Sequence, residues 1–196
     1  MTYTVLTYIF NRYEAVHEIE SKDPDAEYIL VTDDPTLKSN TWTIVYDASL
    51  DDLSLFDKCY IVRFHPFRYA HTDIVVRLDA SISVLKPLAP VVSAFVDGGF
   101  DRCLMIHPLR DNIPDEYEAW VIQRGYPQDQ AEKCLGFMES LGCDLSKKGL
   151  FQCGFEIVRN SSVNLWLNEI TYLLLRALGT DGKIERIDQK IGRAHV

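Results

Sequence analysis

The sequence predicts an α/β fold, a Rossmann-like three-layer sandwich built on a mainly parallel sheet. Three observations predict it. Short runs rich in β-branched and aromatic residues recur through the first half, separated by turn residues and by stretches of helical spacing. The central run Ile74-Val75-Val76 has no polar face, as a strand covered on both sides requires. Helical patterns dominate the second half, so the strands of the first half have helices to cover them.

Tyr3–Phe10 reads as a buried first strand, and Arg12–Ser21, with Ala15, Val16 and Ile19 at helical spacing, as a helix stopped by Lys22-Asp23-Pro24-Asp25. Glu27–Thr32 is the second strand, closed by the turn Asp33-Asp34-Pro35, and Thr41–Tyr46 is the third. Ser54–Arg68 carries helical spacing at Leu55, Cys59 and Val62 before His65-Pro66, and its type stays open. Asp73–Ile82 is the fourth strand, and Val91–Val96 begins a helix that Gly98-Gly99 ends. Cys103–Ile106 is a fifth strand. Asp115–Arg124 and Asp129–Leu141 are helices, Leu150–Arg159 is a strand or hairpin, and Val163–Leu178 is the strongest helix, with Leu167, Ile170, Leu174 and Leu178 on one face.

Bulk properties narrow the function classes. At 196 residues the chain fits one domain, with 47% hydrophobic and 25% charged residues placing it among ordinary globular proteins. A net charge of −9 argues against a nucleic-acid binder, which needs a basic footprint, but leaves room for a few arginines and lysines to hold a small diphosphate. No apolar run approaches the roughly 20 residues of a membrane span, and Met1–Leu6 reads as a strand rather than a leader, so a cytoplasmic protein is expected. The five cysteines show no C-x-x-C pair and no zinc spacing, and are expected to be buried, reduced thiols. The absence of a glycine in Ile9-Phe10-Asn11-Arg12, after the first strand, counts against an NAD-binding Rossmann domain and a glycine-rich phosphate loop.

In an open parallel sheet, ligands bind beyond the carboxyl ends of the strands, so the turns after Thr32, Tyr46 and Leu78 are the places to search. Asp79 ends an apolar strand, where a carboxylate is costly unless it is exposed or paired. It reads equally as the holder of a divalent cation or ribose hydroxyl and as a turn aspartate in Asp79-Ala80-Ser81. Asp33, after the second strand, reads either as a contact to a nucleotide base or ribose or as part of the turn with Pro35. Arg63, Arg68 and Arg77 flank the fourth strand and are candidates for phosphate, against plain solvation of surface charge.

Taken in series, these segments resemble a family. Val75-Val76-Arg77-Leu78-Asp79-Ala80-Ser81-Ile82, with Asp73 ahead of it, is similar to the metal and donor strand of GT-A glycosyltransferases. It is particularly similar to the glycosyltransferase-like family formerly called domain of unknown function 616. Tyr28–Asp34 upstream and, downstream, His107-Pro108-x-Arg110 with Asp115-Glu116 resemble the same family. So do Gly149–Asn160, Trp166 with Glu169, and Asp188-Gln189. The family's strand often reads Trp-Ile-Asp, and GT-A enzymes carry Asp-x-Asp; here Arg77-Leu78-Asp79 and Ser81 stand instead.

The resemblance implies a GT-A fold and transfer of a sugar from a nucleotide-diphosphate donor to a glycan or glycoconjugate acceptor, as in polysaccharide biosynthesis. Asp33, Arg63, Arg77, Asp79, Ser81, His107 and Arg110 become expected donor-binding residues, and Glu116 and Asp188 expected catalytic carboxylates. Asp79 is the expected ligand of a divalent cation, Mn²⁺ or Mg²⁺, though the missing second aspartate weakens that expectation. The alternative is a degenerate relative that binds without catalysis. Ile191–Val196 resembles the translation of a sequencing adaptor, so the expected domain is 1–190, cut short at its carboxyl end, with 191–196 a non-native tail.

Overall fold

In the computed structural model, which describes residues 1–123, 125 and 127–178, six strands form one mixed, mostly parallel sheet. They are β1 (Tyr3–Ile9), β2 (Ala26–Thr32), β3 (Thr43–Tyr46), β4 (Ile74–Leu78), β5 (Arg102–Ile106) and β6 (Phe151–Arg159), and their order is β3-β2-β1-β4-β6-β5. β1 runs parallel to β2 and β4, and β2 parallel to β3, whereas β6 is antiparallel to β4. The helices are α1 (Leu55–Phe64), α2 (Ala89–Asp97), α3 (Ile113–Glu118), α4 (Gln128–Ser140) and α5 (Ser162–Leu178). None of the described helices is long and apolar enough to cross a membrane.

The three-layer expectation holds because the two faces of β1, β2 and β4 carry alternate residues into two separate cores. Tyr3, Val5, Ile9, Leu30, Val76 and Leu78 pack with Val92 and Phe95 of α2. Leu6, Tyr8, Phe10, Val31 and Val75 pack with Cys59, Tyr60 and Val62 of α1, joined by Tyr172 and Leu175 of α5. β1 and β4 are buried along their whole lengths, so the apolar run at 74–76 does sit under two layers. Ser54–Arg68 resolves into α1, capped by the Ser54 hydroxyl on the Asp57 amide, followed by a 3₁₀ turn over Pro66–Arg68.

One predicted element is absent. The stretch 12–21 is not a helix but a loop pinned by distant partners. Asn11 and Arg12 both adopt positive φ, 51° and 50°, which cannot start a right-handed helix. Beyond them the main chain bonds outward. The Ile19 amide donates to Thr41 Oγ1 at 3.0 Å, the His17 carbonyl accepts from Trp42 Nε1 at 2.9 Å, and the Glu20 amide donates to the Val84 carbonyl at 3.3 Å. The apolar spacing that mimics a helix face instead sends Ile19 and Val16 into the α2-side core.

Asp115–Arg124 is also shorter than its pattern: α3 ends at Glu118 and a π-helical turn takes Ala119–Gln123. The thiol expectation fails for most sites, because only Cys59 is buried while Cys103, Cys143 and Cys153 are exposed.

The chain divides into two compact units, Met1–Cys103 with the chain from Gly154 on, and Leu104–Cys153. In the first, α5 buries Asn164 and Asn168 and leaves Val163, Trp166, Leu167, Ile170 and Leu173 exposed, so Leu167 and Ile170 of its predicted apolar face are not in the core. The second is closed at its base by Gly149, whose φ of +98° aims its amide at the carbonyl and side chain of Asp111, 2.8 and 3.0 Å away.

Candidate functional site

Strand order reverses between β1 and β4, since the chain builds outward from β1 through β2 to β3 and then returns to β4 on the other side. The carboxyl ends of those strands are where an α/β sheet opens a crevice. Four segments meet that edge: Asn11-Arg12 after β1, Asp33-Asp34 after β2, Asp79-Ala80-Ser81 after β4, and the first turns of α1.

Asp33 and Lys58 form the first pair. Lys58 Nζ lies 2.9 Å from Asp33 Oδ2, with both side chains about nine-tenths buried at 8% and 11% exposure. The other Asp33 oxygen accepts the Asn11 amide at 2.9 Å, so the carboxylate also fixes the left-handed turn that ends β1. Arg12 in turn donates from Nε to Asp34 Oδ2 at 2.6 Å. That bond, with the Thr36 hydroxyl and amide, holds the Asp34 carboxyl down at about 2. Two successive non-glycine residues at positive φ are a strained feature of the kind that clusters at functional sites.

Asp79 stands two strands away, roughly 10 Å across the sheet from Asp33 by ordinary strand spacing. Its amide donates to the Gly154 carbonyl at 2.8 Å and its carbonyl accepts the Ile82 amide at 2.9 Å, so the backbone is a turn, as one of its two readings requires. Its side chain is 27% exposed and has Arg77 Nη1 at 3.8 Å from Oδ1. Tyr13 closes the space toward β1: its hydroxyl donates to the Tyr8 carbonyl at 3.3 Å. Burial first, and then the Asp79 carboxylate, push the Tyr13 phenol far above its usual range.

Arg77 itself is buried and committed within the protein. Its Nε and Nη2 donate to Glu156 Oε2 at 3.0 and 2.8 Å, and Glu156 Oε1 meets Arg102 Nε at 2.9 Å. Arg102 ends the row on the Asn168 side-chain carbonyl of α5. The ladder crosses β4, β6 and β5 as Arg77–Glu156–Arg102, with Asp79 at its open end. Glu156, Arg102 and Lys58 were not among the residues singled out by sequence. Each lies in an apolar or helical run, and only strand pairing and helix placement give it a charged neighbour.

Of the other expected residues, Ser81 is exposed beyond the Asp79 turn. Arg63 stands in the last turn of α1, about 7.5 Å along the helix axis beyond Lys58 by helical rise. Arg68 is turned to Asp47 Oδ2, 2.9 Å away. His107, Arg110 and Glu116 are brought together in the second unit. Arg110 Nε donates to Glu116 Oε2, its Nη2 lies 2.9 Å from His107 Nε2, and His107 Nδ1 accepts the amides of Leu109 and Arg110 at 3.2 and 3.0 Å. Glu116 Oε2 is also 3.9 Å from His107 Nε2. Glu116 is thus a gripped carboxylate at the start of α3. Asp188 lies outside the described residues. Among the described residues no group of three or more His, Cys, Asp or Glu is placed to hold a metal ion.

Fold and site together define an α/β protein with a Rossmann-like, mostly parallel sheet and a set of charged side chains at its strand-order reversal. No family model and no curated protein matches the chain.

Proposed function

We propose that the chain is a glycosyltransferase that takes a sugar from a nucleotide-diphosphate donor bound at the carboxyl edge of β1, β2 and β4. The resemblance of the Asp79 strand and its companion motifs motivates the reading. The observation that carries it is the placement of Asp79 and the Asp33–Lys58 pair on either side of β1 at the strand-order reversal. Across that span, Asp33 is suited to accept from ribose hydroxyls, Lys58 to face a phosphate, and Asp79 to accept from a hydroxyl of the donor. The transfer needs positive charge near the departing diphosphate, and Lys58 and Arg12 bring cations to this edge beside the committed Arg77. GT-A architecture is part of the same proposal.

A second reading, a related module that binds without catalysis, is favoured by Glu116, whose carboxylate is occupied by Arg110 rather than presented to an acceptor. Both readings are tested by titrating the protein with nucleoside diphosphates and a panel of nucleotide sugars, and by following donor hydrolysis. Donor binding with turnover supports the transferase. Binding with no turnover for any donor and acceptor supports the module, and no binding at all removes both.

A further inference from the structure

The ladder Arg77–Glu156–Arg102 bears on how Asp79 works. A divalent cation on Asp79 would sit beside a fixed, buried guanidinium, since Arg77 Nη1 is 3.8 Å from Oδ1 and its side chain is 2% exposed. Arg77 cannot turn away cheaply. Its Nε and Nη2 are tied to Glu156, and Glu156 is tied on its other oxygen to Arg102. Like charges held this close oppose one another most strongly where water is excluded. The usual answer, a second carboxylate to outweigh the arginine, is missing, because Ser81 stands at that place and supplies no charge. The described residues therefore do not fit a cation site centred on Asp79.

We infer that Arg77 and Glu156 are positioning residues that hold Asp79 as a hydrogen-bond acceptor and stand in place of a divalent cation, so that nucleotide binding at this edge is metal independent. The inference rests on the nucleotide-sugar reading above. The two arginines and two carboxylates balance, so the ladder fixes the carboxylate without adding net charge to this edge of the sheet. The charge on the diphosphate is then met by side chains, with Lys58 placed across β1.

The test is the affinity of the whole chain for uridine and guanosine diphosphates, measured by calorimetry in EDTA and again in millimolar Mn²⁺. Paramagnetic resonance of Mn²⁺ with the protein alone runs alongside it. The expected result is a dissociation constant that changes less than threefold between the buffers, with no stoichiometric Mn²⁺ bound. Asp79→Asn is expected to weaken binding of the glucose conjugate of the better nucleotide, from whose sugar hydroxyl Asp79 accepts, about tenfold to the same extent in both buffers. Arg77→Met, if it folds, is expected to make binding Mn²⁺-responsive by at least fivefold, which a merely structural role for Arg77 would not do. Binding that is lost in EDTA and restored by Mn²⁺ in the wild type overturns the inference while leaving the donor reading intact. Failure of both nucleotides to bind in either buffer removes the donor reading and the inference with it.

Discussion

Arg77 and Glu156, 79 residues apart in sequence, face one another as register partners on β4 and β6 and make two hydrogen bonds to a single carboxylate oxygen. Breaking a buried pair from one side is costly because the other charge is left without compensation. Glu156→Gln leaves both Arg77 and Arg102 facing a neutral amide and is expected to cost about 3–5 kcal/mol of unfolding free energy. Urea denaturation would read this. A loss below about 1 kcal/mol would show that the ladder does not hold the sheet together.

Asp23 ties two elements that sequence alone keeps separate. Its Oδ2 accepts from the Tyr3 hydroxyl at 2.5 Å and from the Leu88 and Ala89 amides at 2.7 and 3.3 Å, so it caps α2 from a remote loop. The side chain is buried, and Asp23→Ala leaves those amides and a buried phenol unsatisfied. The expected loss is roughly 2–4 kcal/mol, with faster amide exchange in α2 than in α1 as the local signature.

Lys58→Met removes the cation from Asp33 and is expected to act twice. Stability falls by roughly 1–3 kcal/mol, because a nearly buried carboxylate loses its partner. Nucleoside diphosphate affinity falls about tenfold, one charge-assisted contact of about 1.4 kcal/mol. Unchanged affinity in a folded Lys58→Met protein would remove Lys58 from the donor site.

The loop after β1 should be insensitive to mild acid. The Asp34 carboxyl, lowered from 3.8 to about 2 by Arg12 and Thr36, contributes its stabilisation fully above the unfolded value. That contribution fades only as pH drops through about 2. A carbon-detected NMR titration is expected to show Asp34, in the turn after β2, changing only as pH falls to about 2. Arg12→Ala should move its midpoint back toward 3.8. A wild-type midpoint near the ordinary value would show that Arg12 does not engage Asp34 in solution.

Glu116 distinguishes clamp from base. Glu116→Gln removes the carboxylate gripped by Arg110 and is expected to speed amide exchange across α3 about tenfold, an opening cost lowered by about 1.4 kcal/mol. A clamp loses local protection in proportion to any loss of turnover. A base loses turnover while protection stays within twofold.

The α/β class, the buried centre of β4 and the existence of the α5 helix were legible because each depends on spacing within single segments, whereas the side of α5 that packs, through Tyr172 and Leu175, was not. The loop at 12–21 was not. Its apolar positions match a helix, and what cancels the helix is a set of bonds from Thr41, Trp42 and Val84, all distant in sequence. The same limit applies to the site. Asp79, Asp33, His107, Arg110 and Glu116 were marked by type and position, and the last three do meet in space. Arg77 was marked as a ligand for phosphate, yet the structure commits it to Glu156 and Asp79.

By itself the sequence determined the α/β class, most of the strands and helices, and that a carboxylate ends the central strand, since these follow from local periodicity. Only the tertiary structure decided strand order, the partner of each charge and the company Asp79 keeps. A buried ion pair is a relation between segments, and its geometry exists only once β6 has returned antiparallel to β4 and set Glu156 opposite Arg77.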